Sequence, residues 1–225
     1  MATLTTGQVG LFNGKIGTVI ISKWKQLIVG RGVSGKRTKK ATLTQLDQQV
    51  RFALVTNFIA AIGNCIKIGY KTKAAGNFSP HNVAVRYHLA EAVTGVYPDY
   101  EIDYPKVVVS VGTVLRAIER PLNPELVAGE GNTLVLNWEA EPAAVEHDPG
   151  ESKDTDMMAV LAYDVNNDRV YFFRNLAPRG NQTHTFISRS IFQNKVLAAY
   201  VFFISADGKS VSTSEYAGMI DFIVG

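Results

Sequence analysis

The spacing of hydrophobic positions changes character twice along the chain. Over residues 9–33 the segments "KIGTVIISKW" and "QLIVGRGV" are β-branched and apolar, with a polar break near Lys23-Trp24-Lys25-Gln26, which predicts a β-hairpin. Gly10, Gly14, Gly17, Gly30 and Gly32 line its ends, a density that marks turns, bulges or close backbone approach. A lone hairpin is marginal in water, so this one needs something to pack on. Over residues 43–72 the apolar positions Leu43, Leu46, Val50, Leu54, Phe58, Ile62, Cys65 and Ile68 step by threes and fours, which predicts one long helix with Thr42 or Thr44 as its cap. A second helix is expected near 79–95, opened by Ser79-Pro80 and closed by Gly95, with a turn between the two.

From about residue 100 the pattern becomes that of strands. "KVVVSVGTVL", "TLVLNWEA", "DMMAVLAYD", "RVYFFR", "THTFIS", "KVLAAYVFFIS" and "SVSTSEYAGMIDFIV" are short and β-rich. Turn signals separate them at Asn166-Asn167-Asp168, Pro178-Arg179-Gly180-Asn181 and Asp207-Gly208, the last being the strongest hairpin signal in the chain. This spacing predicts an antiparallel sandwich with Trp138 in its core. The acidic tract 139–156 reads as a loop. The expected class is therefore α+β, an N-terminal β-hairpin with two helices followed by an immunoglobulin-like β-sandwich. The expected division is residues 1–100 and 101–225.

Charge sharpens this division. The net charge of +3 combines a basic half with an acidic one: residues 1–75 hold 12 Lys and Arg but only one acid, Asp47, whereas residues 121–225 hold 7 basic and 14 acidic side chains. Such asymmetry points to a polyanion or to an oppositely charged partner, a second copy of this chain included. At 46% hydrophobic and 19% charged, the composition is that of a globular protein rather than a disordered one. The single cysteine, Cys65, excludes an intrachain disulfide, and its apolar setting "FIAAIGNCIKIGY" predicts a buried, inert thiol. No signal-peptide pattern or membrane-length apolar run is present, so the expectation is a cytoplasmic protein, or a surface or virion component that travels by a signal-independent route.

Several segments taken together carry a resemblance. "GQVGLFNGKIGTVIISKW", "QQVRFALVTNFI", "VTGVYPDYEIDYPKVVVSVG", "VLAYDVNN" and "VFFISADGKSVSTSEYAG" resemble, in this order and over nearly the whole chain, an uncharacterised bacterial family of unknown function. The resemblance implies a glycine-rich N-terminal hairpin, a helical middle and a C-terminal sandwich, and it brings no catalytic residues. Separately, the C-terminal part is similar to fibronectin type III or immunoglobulin-like modules, which implies an architecture and no activity.

The stretch Gly30-Arg31-Gly32-Val33-Ser34-Gly35-Lys36 spells seven of the eight positions of a phosphate-binding P-loop. Arg37 stands where Ser or Thr would ligate magnesium, the predicted helix starts several residues late, and the Walker-B-like "AVLAYD" ending at Asp164 lies in the antiparallel half. A hairpin exit followed by a basic connector is the better reading. His81 and His88, seven apart on the second helix, have no Cys, Asp or Glu at ligand spacing, and no nucleophile or zinc motif occurs. No catalytic, metal or cofactor residue is assigned, and no enzyme is expected. Tyr97, Tyr100 and Tyr104, with Pro98 and Pro105, form either a recognition surface or a fixed linker between the halves.

The sequence thus points to a non-enzymatic structural protein that self-assembles into a filament, appendage or virion-like body. Its contacts would come from the N-terminal hairpin and from head-to-tail charge complementarity. The alternative is a nucleic-acid-binding accessory protein. In either case the candidate contact residues are Lys15, Lys23, Trp24, Lys25, Arg31, Lys36, Arg37, Lys39 and Lys40.

Overall fold

The computed structural model describes residues 2–3, 13–24, 27–35, 39–71, 78–112, 118–129, 133–139, 153–187, 192 and 194–221. The chain divides into two compact units, Met1–Leu46 and Asp47–Gly225. The smaller unit is an antiparallel sheet. Strands β3 (Val19–Trp24) and β4 (Leu27–Gly32) form the expected hairpin; β2 (Gly14–Ile16) pairs with β3 and β1 (Ala2–Thr3) with β4, giving the order β1-β4-β3-β2. The unit ends in the first turn of helix α1 (Leu43–Ala61), closed by a capping box in which Thr42 and Gln45 each accept a backbone N–H from the other, both at 3.3 Å.

The larger unit has three layers. Helix α1 is followed by α2 (Gly63–Gly69), and α3 (Pro80–Glu91) is opened by Ser79, whose Oγ accepts the Asn82 N–H at 3.1 Å. The single helix expected over 43–72 is instead two, bent by 82°. Gly63, a poor interior helix former, follows the bend, and there the Cys65 N–H bonds to the Ile62 carbonyl only three residues back. The bend keeps Val55, Phe58, Ile59 and Ile62 of one segment and Cys65 and Ile66 of the next in the same core. The second helix stops at Glu91, short of Gly95, because a hairpin follows at once: β5 (Val93–Val96) pairs with β6 (Asp99–Ile102) across a turn containing a cis Tyr97–Pro98 bond.

The sandwich has one sheet in the order β10-β9-β12-β13 and one in the order β11-β8-β7. The first comprises β9 (Met157–Asp164), β10 (Arg169–Phe173), β12 (Val196–Ile204) and β13 (Glu215–Asp221). The second comprises β7 (Leu122–Ala128), β8 (Thr133–Glu139) and β11 (Thr183–Ile187). The α+β class with an immunoglobulin-like sandwich holds. Trp138 is buried between the sheets, edge-on to Phe203, and donates Nε1–H to the Arg179 carbonyl at 3.1 Å. The Asp207-Gly208 turn is also formed, with Ser205 and Ser210 paired across it and Gly208 at φ +66.

Two expected features differ. "KVVVSVGTVL" forms no strand over residues 107–112, and its remaining residues up to 115 lie outside the described ones. Three of its backbone donors go to hydroxyl side chains instead: Ser214 Oγ accepts from Val109 and Ser110, and Thr213 Oγ1 accepts from Gly112, while the Val111 N–H goes to the Gly69 carbonyl. Strand β7 was hidden by Pro124; it sits at a sheet edge with a register shift between Leu122 and Glu125, where a proline is tolerated.

The division expected at residue 100/101 does not coincide with the unit boundary. The helices share one core with the sheet: Ala159, Leu161 and Tyr163 of β9 and Ala198, Tyr200 and Phe202 of β12 pack with α1, α2 and α3. The alternate residues, Met158, Val160 and Ala162 with Leu197, Ala199, Val201 and Phe203, pack against the other sheet. A sheet covered on both faces must be apolar at every position, and "MMAVLAY" and "VLAAYVFFI" are.

Candidate functional site

The basic candidates fall on the N-terminal sheet and the segment after it. Register places Lys15 opposite Ile20 and Ile20 opposite Arg31, so the three share a face, which along β3 and β4 also carries Ser22, Trp24, Leu27 and Val29. Lys23 lies on the opposite face with Ile16, Val19, Ile21 and Ile28. Lys39 and Lys40 are exposed and belong to no strand or helix; Lys25, Lys36 and Arg37 lie outside the described residues. The structure therefore groups Lys15, Arg31 and Trp24 and separates Lys23 from them.

On both faces of this sheet the described side chains are exposed or half-buried. Among the described residues of the unit, Gly30 alone is buried, while Ile16 is 50%, Val19 41% and Trp24 47% exposed. Strand β4 pairs antiparallel on both sides and α1 begins only at Leu43, so the strand-to-helix turn of a P-loop is not built here. Asp164, the Walker-B-like residue, is fully buried as a turn organiser, accepting the N–H groups of Asn166 and Asn167 with Lys195 Nζ at 3.6 Å.

His88 is fully buried. The Val108 N–H donates to its Nε2 at 3.3 Å, so Nδ1 carries the proton and donates to the Ala84 carbonyl at 2.8 Å. Burial holds the imidazole below its ordinary value, against an opposing contribution from the Ala84 bond. Cys65 is buried and its thiol is pushed up by desolvation, as expected of an inert core cysteine. Among the described residues, no three His, Cys, Asp or Glu gather as a metal site.

The tyrosine cluster leads to a cleft of about 500 Å³ in the larger unit. Its aromatic walls are Phe58 from α1, Tyr100 from β6, Tyr104 just beyond β6 and Tyr163 from β9; Glu101 and Asp168 are its charged lining residues. Ring centroids lie 5.0 Å apart for Phe58 and Tyr163 and 5.9 Å apart for Tyr104 and Tyr163. The Tyr163 hydroxyl donates to Asp168 Oδ1 at 2.5 Å. The Tyr100 hydroxyl donates to Asp47, and Arg51 lies over the Tyr100 ring 5.6 Å from its centroid. Tyr104 and Tyr163 are both held above the ordinary phenol value, first by burial; Asp168 adds to this for both, and Glu101 for Tyr104. Tyr97, 42% exposed at the hairpin turn, does not line the cleft. The sequence reading paired Tyr100 with Tyr104 but missed Phe58, Tyr163 and Asp168. Asp168 was visible only as a turn residue, and nothing local marked the other two.

In fold, 48% of the chain is similar to the fn3 domain of human collagen alpha-1(XX) chain, at 11% identity over 89% of that chain with a TM-score of 0.34. A structure described as titin kinase and its flanking domains matches 46% of this chain and 17% of its own at 18% identity, with a TM-score of 0.33. Nothing among the curated proteins matches the sequence. The model of the "Family of unknown function (DUF6266)" matches residues 11–218, most of the chain, and the protein belongs to that family.

Proposed function

We propose that this protein is a non-enzymatic structural subunit that assembles with copies of itself, using the N-terminal sheet as the docking element. The observation that carries this is a four-stranded sheet in which Gly30, with no side chain, is the one buried residue among those described, and whose edge strand β2 exposes Ile16 beside Val19. A sheet whose described side chains are all exposed or half-buried gains stability from an added strand or a covering surface. Charge supports the same partner. Residues 1–46 carry eight Lys and Arg and no acid, whereas 14 acids against 7 bases lie in 121–225, so the front of one copy attracts the rear of the next. A contact repeated head to tail without closing makes a fibre.

The test is light scattering and negative-stain imaging of the full chain beside the variant Ile16→Asp/Val19→Asp, which adds charge at two exposed, directly opposed positions. The native protein forms large particles that weaken with added salt, and the variant does not form them. A native protein that stays monomeric at all concentrations ends this reading.

One observation favours a second reading. Trp24 shares a face with Lys15 and Arg31, which places an aromatic ring and two cations along one surface of the sheet. Single-stranded nucleic acid would then bind with an affinity that falls steeply with salt and drops with Trp24→Ala, and absence of binding at low salt removes it.

A further inference from the structure

We propose that the cleft between α1, β6 and the β9–β10 turn is the receptor for a lysine side chain of the Lys39–Lys40 segment of a second copy; this rests on the assembly reading above. The cleft suits a cation with an apolar stem. Phe58, Tyr104 and Tyr163 form its wall, Glu101 and Asp168 supply two carboxylates, and no Lys or Arg lines it among the described residues. Neither carboxylate makes an ion pair with a described residue, and Asp168 accepts the neutral Tyr163 hydroxyl. Tyr104 is held above the ordinary phenol value first by burial, and Asp168 and Glu101 add to this. A lysine laid into such a site places its methylenes on the rings and its ammonium at the carboxylates, gaining both burial and a cation–ring contact. Arg51 over Tyr100 makes a cation–ring contact at the margin of the same cleft.

The occupant follows from what the chain has to offer. All eight charged residues of 1–46 are basic. Lys15, Lys23 and Arg31 lie on the strands of the sheet that the assembly reading already uses as its docking element. Lys39 and Lys40 are exposed, lie outside strand and helix, and make no ion pair with a described residue, which leaves their ammonium groups open to a partner.

The closing experiment is cysteine trapping in the full chain. Cys65 is buried and stays silent, so introduced cysteines report alone. A copy carrying Ala41→Cys is mixed under mild oxidation with a copy carrying Asn57→Cys, an exposed position lining the cleft, so that the lysines and both carboxylates stay in place, and covalent dimer is read on a non-reducing gel. The expected result is dimer forming at least about tenfold faster than with a Glu125→Cys partner at an exposed position on β7. The variant Glu101→Gln/Asp168→Asn supplies the charge test. Asn suits the left-handed backbone of Asp168 (φ +51), so the fold is kept, and the concentration needed for assembly rises about tenfold.

Trapping at the control rate overturns the inference. So does a chain bearing both cysteines that closes on itself regardless of concentration, because the segment then docks within its own copy. If trapping stays at the control rate while Ile16→Asp/Val19→Asp still abolishes particles, the assembly reading stands and the cleft is not its receptor. If the native chain is monomeric, both fall.

Discussion

Two four-stranded antiparallel sheets in this chain have had opposite treatment. The sheet β10-β9-β12-β13 is sealed on both sides, by helices on one face and by the second sheet on the other, and Leu161, Tyr200, Val201, Phe202 and Phe203 are fully or almost fully buried. The sheet β1-β4-β3-β2 has no buried side chain among its described residues. Hydrophobic burial is what stabilises a sheet beyond its backbone bonds, so the first carries the stability of the fold and the second contributes little to it. Glycine content follows the same division: β4 holds Gly30 and Gly32, whereas β9 and β12 hold none.

The largest expected effect comes from opening the sealed sheet. Phe202→Ala removes a fully buried ring stacked 6.2 Å from Phe172 and should cost about 3–5 kcal/mol in denaturant unfolding. The corresponding truncation in the bare sheet, Ile21→Ala, should cost less than about 1 kcal/mol under conditions that keep the protein monomeric. Equal losses would contradict the contrast drawn between the two sheets.

Next in size is a glycine pair within the helices. A Cβ on Gly69 would lie 2.2 Å from the Val109 carbonyl oxygen, a backbone atom that cannot turn aside, so Gly69→Ala should lose about 1–3 kcal/mol. Gly63 has open space at the same point, and Gly63→Ala should be neutral or gain up to about 1 kcal/mol. Thermal melts of the two variants check the sign of each.

A pH effect should follow from His88. Its folded-state value lies below the ordinary 6.5, so below pH 6.5 the unfolded chain binds more protons than the folded one. Stability is complete above 6.5 and declines as pH falls from there toward the folded value, where protonating Nε2 would break the bond from the Val108 N–H. Denaturant midpoints taken from pH 7.5 down to 5 should show this decline, and a flat profile would remove the role. The smallest effect concerns the exposed cations: Lys39→Ala/Lys40→Ala should leave monomer stability within about 0.5 kcal/mol while weakening assembly, a split visible by comparing unfolding with light scattering.

Much of this contrast was written locally. Unbroken apolar runs in β9 and β12 mark strands with no solvent face, and the alternation in "TLVLNWE" of β8 marks one with a single buried face. The hairpin signals at Asp207-Gly208 and Asn166-Asn167-Asp168 were equally local. What failed to show depended on distant partners. In "VVVSVG" three backbone donors go to hydroxyls about a hundred residues downstream and two go to the helices, at His88 and Gly69, and periodicity cannot register that. The helices before residue 100 bury their faces on β9 and β12 beyond it, a long-range choice that composition does not record. The cleft was half visible, since Tyr100 and Tyr104 are neighbours in sequence, whereas Phe58 and Tyr163 reach it only through the packing of α1 on the sheet.

The central claim, that the N-terminal sheet is finished by another copy, is tested most directly by amide hydrogen exchange at two protein concentrations. In dilute monomer the amides of β3 and β4 should exchange fast while those of β9 and β12 are strongly protected. At a concentration where particles form, protection of β3 and β4 should rise at least about tenfold with β9 and β12 unchanged. Protection of β3 and β4 that is the same at both concentrations would contradict the account.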